Sequence, residues 1–408
     1  MPTLLALTVG GSCAPVVTAV RDYAPDFVCF FASAGPHGSR AMVDGAGQVC
    51  QGAPSIVAQT GLMPEQYEVV ELAEPDHLPD CYGAMRAALA RLAAGRAGWR
   101  RLADYTGGTK TMSAALVLAA LETDWELSLV KGTRPDLVKV LNGSEMAALV
   151  NAWEVRARQL MAEVRRLFNA YAYASAGEVL EGLARTGPLS VELDHEVRQW
   201  VALCRAFDAW DRFDHAQARR LLEPYQSRAV PQWRFLKALV GLGQASGYEP
   251  VLDLVRNAER RAARGRYDDA VARLYRALEM LAQIRLRQRT PPLETGDLDT
   301  NALPEKLRRK YEAWRDPTDG KVRIGLRQAY DLLAGLEDPL GGVWRKHENR
   351  VINALKKRNA SILAHGSTPL SQGDYQEMAQ VVEAFIEAGL AALGVKVVAP
   401  QFPHWEEK

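Results

Sequence analysis

The sequence predicts an α/β amino-terminal domain of Rossmann-like character followed by two all-α stretches. Three observations carry this reading. Short apolar runs alternate with helical patterns up to about residue 145, strand signals stop at about residue 146, and helical periodicity with few breakers continues to the carboxyl end. Alternation of the first kind implies a mostly parallel sheet covered on both faces. A chain of 408 residues has room for two or three such bodies. The divisions fall at 1–145, 146–250 and 251–408.

Residues 3–9 form an apolar run bounded by Gly10 and Gly11, followed by a helix-compatible stretch through Val20. Further strands are expected at 27–33, 67–72 and 99–106, and helices at 81–95 and 111–122. Residues 125–141 read as two strands joined by a turn at Gly132–Pro135, an antiparallel hairpin closing the sheet. Beyond it lie paired amphipathic helices with no fixed repeat period. The Gly-rich stretch 241–250 opens a second helical block, where Val271, Leu274, Leu278 and Leu281 mark one long amphipathic helix. A polar Pro/Gly loop at 290–304 and a last helix at 375–393 complete it.

Composition narrows the function classes. No apolar run approaches the roughly 18 residues of a membrane span, and the amino terminus lacks the basic flank of a signal peptide. Cys13, Cys29, Cys50, Cys81 and Cys204 contain no C-x-x-C pair, which points to a reducing cytoplasm and away from structural zinc. The histidines are dispersed, without metal-ligand spacing. A formal net charge of +1 leaves no large footprint for duplex nucleic acid. Basic runs at 284–289, 306–310 and 344–358 nonetheless crowd the last third. Each alone reads as a solvated face; together they suggest local attraction for phosphates.

Within the last run stands Arg358-Asn359, with His365 before Gly366. No breaker precedes Gly366, so one helix is expected to run to His365, placing Arg358, Ser361 and His365 on one face that extends back to His347. Ile352, Leu355 and Ile362 form a neighbouring apolar stripe. Such a face is either catalytic equipment or a set of cations favoured by the helix dipole.

Two glycine turns follow expected strands. One is Gly10-Gly11-Ser12; the other is Thr106-Gly107-Gly108-Thr109-Lys110-Thr111, leading into a helix. Beyond strand ends, such turns offer backbone amides, hydroxyls and a lysine to an anionic, phosphate-bearing ligand. Neither matches G-x-G-x-x-G or the G-x-x-x-x-G-K-[ST] nucleotide loop. A purely structural tight turn is the alternative.

In combination, these features resemble the CARF–HEPN ribonucleases of type III CRISPR systems over essentially the whole chain. The marks are the Thr106–Lys110 turn and the motif of Arg358, polar Asn359 and His365. The resemblance implies a CARF sensor (1–145), a helical connector (146–250) and a HEPN ribonuclease (251–408). It implies a cytoplasmic homodimer that binds cyclic oligoadenylate, the tetra-adenylate by family analogy, through Gly10, Gly11, Ser12 and Thr106 to Thr111. No stable association with the CRISPR effector complex is required. The implied reaction is metal-independent, cofactor-free cleavage of single-stranded RNA by ribose 2′-hydroxyl attack. Arg358, Asn359 and His365 are its catalytic residues, with Ser361 and His347 second. Two other readings remain: a ring nuclease using Ser12, Thr109 or Lys110 on the activator, and a regulatory binding module without catalysis.

Overall fold

The computed structural model describes residues 1–132, 145–150, 153–185, 189–359, 361–364 and 366–404. Two compact units divide it, Met1–Arg158 and Gln159–Lys408.

The first unit is a six-stranded sheet in the order β3-β2-β1-β4-β5-β6. Its strands are β1 (Thr3–Val9), β2 (Phe27–Ser33), β3 (Tyr67–Leu72), β4 (Arg100–Asp104), β5 (Glu126–Lys131) and β6 (Met146–Val150). All pairings are parallel except β5 with β6, where Leu127 faces Val150 and Lys131 faces Met146. The helices are α1 (Ala14–Tyr23), the short α2 (Arg40–Asp44) and α3 (Ile56–Thr60), α4 (Leu78–Gly95) and α5 (Lys110–Glu122). β1 is buried on both faces, which explains its continuous apolar run. Leu5, Leu7 and Val9 pack with Val16 and Val20 of α1. Leu4 and Ala6 pack with Leu89 of α4 and Leu116 of α5.

Two expectations for this unit change. Strand structure does not stop at residue 146: the antiparallel edge strand is 146–150. Its short Met-Ala-Ala-Leu-Val run is read as helix by local propensity, and ladder bonds to β5 override that preference. The second strand of the expected hairpin falls on 133–144, outside the described residues. The dispersed cysteines point to a reducing compartment, yet Cys13 and Cys50, 37 positions apart, form a disulfide with Cα atoms 5.7 Å apart.

The second unit is helical. α6 (Trp153–Asn169) crosses the division, followed by α7 (Tyr173–Arg185), α8 (Val191–Asp211), α9 (His215–Leu222) and α10 (Val230–Leu239). Then come α11 (Glu249–Ala263), α12 (Tyr267–Arg287), α13 (Glu305–Glu312), α14 (Leu326–Gly335), α15 (Pro339–Asn359) and α16 (Gln372–Ala392). The expected positions Val271, Leu274, Leu278 and Leu281 all lie in the core, against Tyr330, Trp344, Val351, Val382 and Phe385. Tyr330 and Trp344 stack at 4.7 Å, and the buried Tyr330 hydroxyl donates to the Leu278 carbonyl at 2.8 Å.

A buried ionic cluster joins α8 to α11. Arg260 Nε donates to Asp211 Oδ1 at 2.8 Å, Arg261 Nη2 to Asp211 Oδ2 at 2.6 Å, and Asn257 Nδ2 to Asp211 Oδ1 at 2.7 Å. The Arg260 guanidinium lies 3.7 Å over the ring of Phe402, which the carboxyl-terminal segment inserts beside Phe207 and Trp210.

The main correction concerns α15. It ends at Asn359, not at His365. The Ser361 amide donates to the Arg358 carbonyl at 3.0 Å, and the Ala364 and Gly366 amides both return to the Ser361 carbonyl, at 3.0 and 3.2 Å. Asn359 and Ser361 are weak helix formers, while Lys356, Lys357 and Arg358 stabilise a helix end at this point through its dipole. Ile362 therefore leaves the apolar stripe: Leu355 is buried and Ile352 half-buried, but Ile362 is 69% exposed.

Candidate ligand site and candidate active site

β1 and β4 are neighbours, and the strand order reverses between them. In a doubly wound sheet that reversal opens a crevice at the carboxyl ends of the strands, where both glycine turns lie. They touch. A methyl group on Gly10 would meet the Gly108 amide nitrogen at 2.6 Å, and one on Gly107 would meet the Thr8 carbonyl at 2.1 Å. Gly108 also has φ of +80°, in the left-handed region that favours glycine.

The side chains of these turns divide into two groups. Thr109 caps α5: its hydroxyl accepts from the Met112 amide at 3.2 Å and donates to the Pro75 carbonyl at 2.8 Å. The Thr106 hydroxyl accepts from the Val130 amide at 2.7 Å. The Gly107 carbonyl accepts from the hydroxyls of Thr8 at 2.7 Å and Ser113 at 2.9 Å. These groups hold the turn in shape, with buried Asp104 accepting from the Thr106 amide at 3.1 Å. Ser12 and Lys110 are exposed and Thr111 is half-exposed, and none of the three makes a side-chain hydrogen bond or ion pair among the described residues. Lys110 and Thr111 open α5, where the first amides have no intrahelical acceptor. The crevice thus presents the Gly10-Gly11 backbone, one serine, one threonine, one lysine and a helix amino terminus. That inventory suits an anion. Gln51, which sequence reasoning missed, donates to the Gly11 carbonyl at 3.2 Å from a loop anchored by the Cys13–Cys50 disulfide.

In the second unit, Arg358 occupies the last turn of α15 with Asn359 exposed beside it. Its guanidinium carbon lies 4.2 Å from the centroid of the Tyr275 ring on α12. Arg358 has no carboxylate partner among the described residues; its polar side-chain contact is a long 3.4 Å approach of Nη1 to Asn359 Oδ1. Nε is buried without a hydrogen-bond partner. The adjacent Lys357 differs, pairing with Asp374 at 3.0 Å and Glu377 at 2.6 Å. Ser361 is buried, its hydroxyl unpartnered. It cannot reach a substrate without movement of the 361–364 turn. His347 packs edge-on at 6.0 Å from Phe385. It precedes Arg358 by eleven positions on one helix, about 16 Å of rise, so the two do not converge on one phosphate. His365 lies outside the described residues. Tyr275 was also missed, because an isolated tyrosine beside an amphipathic stripe carries no motif.

Among the described residues there is no cluster of histidine, cysteine or carboxylate side chains able to hold a metal, and no helix is long and apolar enough to cross a membrane.

Two family models match the second unit. Residues 157–244 match the Csm6 6H domain and residues 241–388, including the Arg358 motif, match the Csm6 HEPN domain. Among solved structures, Enterococcus italicus Csm6 bound to cyclic hexa-2′-fluoro-hexa-dAMP superposes with a TM-score of 0.61. It is 14% identical and covers 97% of this chain and 95% of its own. A type III CRISPR defence DNA nuclease activated by cyclic oligoadenylate covers 50% of this chain and 34% of its own at 14% identity, with a TM-score of 0.25 that supports no argument. No curated protein matches.

Proposed function

Because the chain belongs to the CARF–HEPN family of type III CRISPR accessory proteins, we propose that it is a single-stranded endoribonuclease switched on by cyclic oligoadenylate. The observation that carries this reading is the Arg358-Asn359 end of α15, which lies in the HEPN match and holds a guanidinium without a carboxylate partner among the described residues. An uncompensated cation at a half-exposed helix end is the group a phosphodiester calls for.

The reaction is transesterification. The ribose 2′-oxygen loses its proton and attacks the adjacent phosphorus; the bond from phosphorus to the 5′-oxygen breaks, and that oxygen takes a proton. The products are a 2′,3′-cyclic phosphate and a 5′-hydroxyl. His365 exchanges or positions protons. The Arg358 fork stabilises charge on the phosphorane, and Asn359 orients the phosphate. No step draws on a metal.

The active form we propose is a homodimer in the cytoplasm, with residues 1–145 as sensor, 146–250 as connector and 251–408 as nuclease. Ile362 and Leu363 are 69% and 49% exposed beside the motif, an apolar pair suited to a second copy. The activator sits on Gly10, Gly11, Ser12, Lys110, Thr111 and the α5 amino terminus, across a two-fold axis that matches a ring. Thr106 to Thr109 shape the cradle. Any cleavage of the ring itself falls to Ser12 or Lys110, since the Thr109 hydroxyl is engaged in both directions.

The test is RNA cleavage measured against a panel of four- and six-membered cyclic and linear oligoadenylates, with wild type, Arg358→Ala and His365→Ala. The six-membered ring belongs in the panel because the Enterococcus italicus protein binds one; family analogy favours the tetra-adenylate. We expect ring-dependent cleavage that both substitutions abolish. Cleavage indifferent to every ring, or surviving both substitutions, overturns the reading.

A further inference from the structure

Arg358 is held by an aromatic face, and the arrangement around that face is built in depth. Tyr275 lies in α12, half-buried and packed against the core of the second unit. One turn on along α12, the Glu279 carboxylate stands beside its hydroxyl, and burial together with that carboxylate pushes the phenol up to about 12. The hydroxyl therefore stays protonated through the neutral range, and the ring beside Arg358 remains a neutral phenol. Glu279 is itself approached by Arg276 at 3.4 Å, and Arg276 Nη1 donates to Gln283 Oε1 at 2.8 Å. A chain of side chains from Gln283 through Arg276 and Glu279 thus fixes the ring on which Arg358 rests.

The choice of a ring over a carboxylate has a chemical consequence. A carboxylate would occupy the N–H edge of the guanidinium, neutralise it and compete with an incoming phosphate. A ring face attracts the cation through its quadrupole by about 0.5–2 kcal/mol and leaves the edge donors free. Other arginines of the second unit take the other course: Arg285 and Arg289 both pair with buried Asp338, at 2.9 and 3.0 Å.

We propose that Tyr275 is a positioning residue for RNA cleavage, its ring face setting the plane of the Arg358 guanidinium while keeping its fork open for the scissile phosphate. The proposal rests on the ribonuclease reading above. Loss of the ring leaves the cation in place but lets it rotate, so the effect falls on the chemical step. Misplacement of a catalytic group by about an ångström costs on the order of a hundredfold in rate.

The experiment is single-turnover cleavage of single-stranded RNA by the full chain with saturating cyclic oligoadenylate. It compares wild type, Tyr275→Phe, Tyr275→Leu, Arg358→Lys and the Leu/Lys double variant, with thermal unfolding of each. Tyr275→Phe is expected to keep the rate within about threefold, because the face remains. Tyr275→Leu is expected to lower the saturating single-turnover rate by about 10- to 100-fold, with the enzyme concentration for half-maximal rate changed less than about threefold. In the Arg358→Lys background the same leucine substitution is expected to cost less than about threefold, because no guanidinium plane remains to be set. Should Tyr275→Leu unfold, Tyr275→Met fills similar space without a ring and takes its place. A purely structural tyrosine would give additive losses in the double variant. Additive losses, or a leucine variant as fast as wild type while Arg358→Ala is dead, overturn the proposal and leave the ribonuclease reading intact. Activity in Arg358→Ala overturns both.

Discussion

Replacing Gly10 by alanine tests the ligand cradle with a perturbation whose size can be worked from the structure. The new methyl carbon would meet Gly108 N at 2.6 Å, Cα at 3.0 Å and O at 3.2 Å. All three are backbone atoms, so no side chain can rotate away. Restoring an ordinary separation of about 3.4 Å moves one turn relative to the other by about 0.8 Å. The Gly108 turn cannot yield freely, because the preceding carbonyl is pinned by the Thr8 and Ser113 hydroxyls and Thr109 caps α5. Overpacking of this kind costs about 1–3 kcal/mol in stability. The same displacement spoils the geometry of one or two hydrogen bonds to an anion, so binding of the ring should weaken by about ten- to a hundredfold. Gly11→Ala is the internal comparison, since a methyl there meets nothing within 4 Å. It should unfold like wild type, and any change in its ring affinity reports on the ligand directly. Calorimetric titration with the activating ring and thermal unfolding of both variants provide the readouts. A folded Gly10→Ala protein that binds the ring as wild type does would refute the assignment of these turns to the ligand.

RNA cleavage should proceed at full rate in excess EDTA; activity lost to the chelator and restored by a divalent ion removes the metal-free mechanism. Heterodimers of one intact and one His365→Ala subunit should lose far more than half of activated cleavage at nearly unchanged ring affinity, and retention of half means that each subunit cuts alone. Arg260→Ala removes one of the two arginines on buried Asp211, leaving Arg261 and Asn257, and should lower the unfolding free energy by about 2–3 kcal/mol in urea titrations; a loss below about 1 kcal/mol contradicts the burial argument. The Asp374 carboxyl is lowered to about 2 by the Ser371 hydroxyl and Lys357, so its stabilisation is complete above its unfolded pKa and is lost as pH falls through the folded value. The gap in Tm between wild type and Asp374→Asn should thus be present at neutral pH and shrink from about pH 4 downward through about pH 2, and a gap at pH 2 as wide as at neutral pH contradicts this pairing.

The sheet was legible because its signals are local. β2 and β3 coincide with the expected runs at 27–33 and 67–72: β2, buried on both faces, writes a continuous apolar segment, while the half-buried edge strand β3 keeps Val69, Val70 and Leu72 among its glutamates. What local pattern could not carry is pairing at a distance. β6 is a strand because β5 offers it a ladder, and Cys13 meets Cys50 across 37 positions because the chain folds back over the first glycine turn. The sequence pattern treats the turn residues as one group and does not separate them by role. Glycine, threonine and lysine all suit an anion, and only the hydrogen bonds separate Thr106 and Thr109, which shape the turn, from Ser12 and Lys110, which are free to meet a ligand.

The end of α15 changes the reasoning about the active site as well as its description. On a continuous helix, Arg358 and position 365 would stand roughly 10 Å apart along the axis, and that separation was an argument for assembling the site from two chains. The helix stops at Asn359 instead, and local turns follow: the Ser361 amide bonds the Arg358 carbonyl, and the Gly366 amide bonds the Ser361 carbonyl. Two hydrogen bonds therefore lead from Arg358 to the residue that follows His365. Helix pitch no longer requires a second subunit. The case for a dimer moves to Ile362 and Leu363, which the turn exposes and a continuous helix would have placed otherwise. It also makes the heterodimer measurement decisive, because helix geometry by itself now argues neither for one chain nor for two. If composite sites operate nonetheless, the reason lies in what covers those two apolar side chains, and Ile362→Asp should then abolish both dimerisation and cleavage.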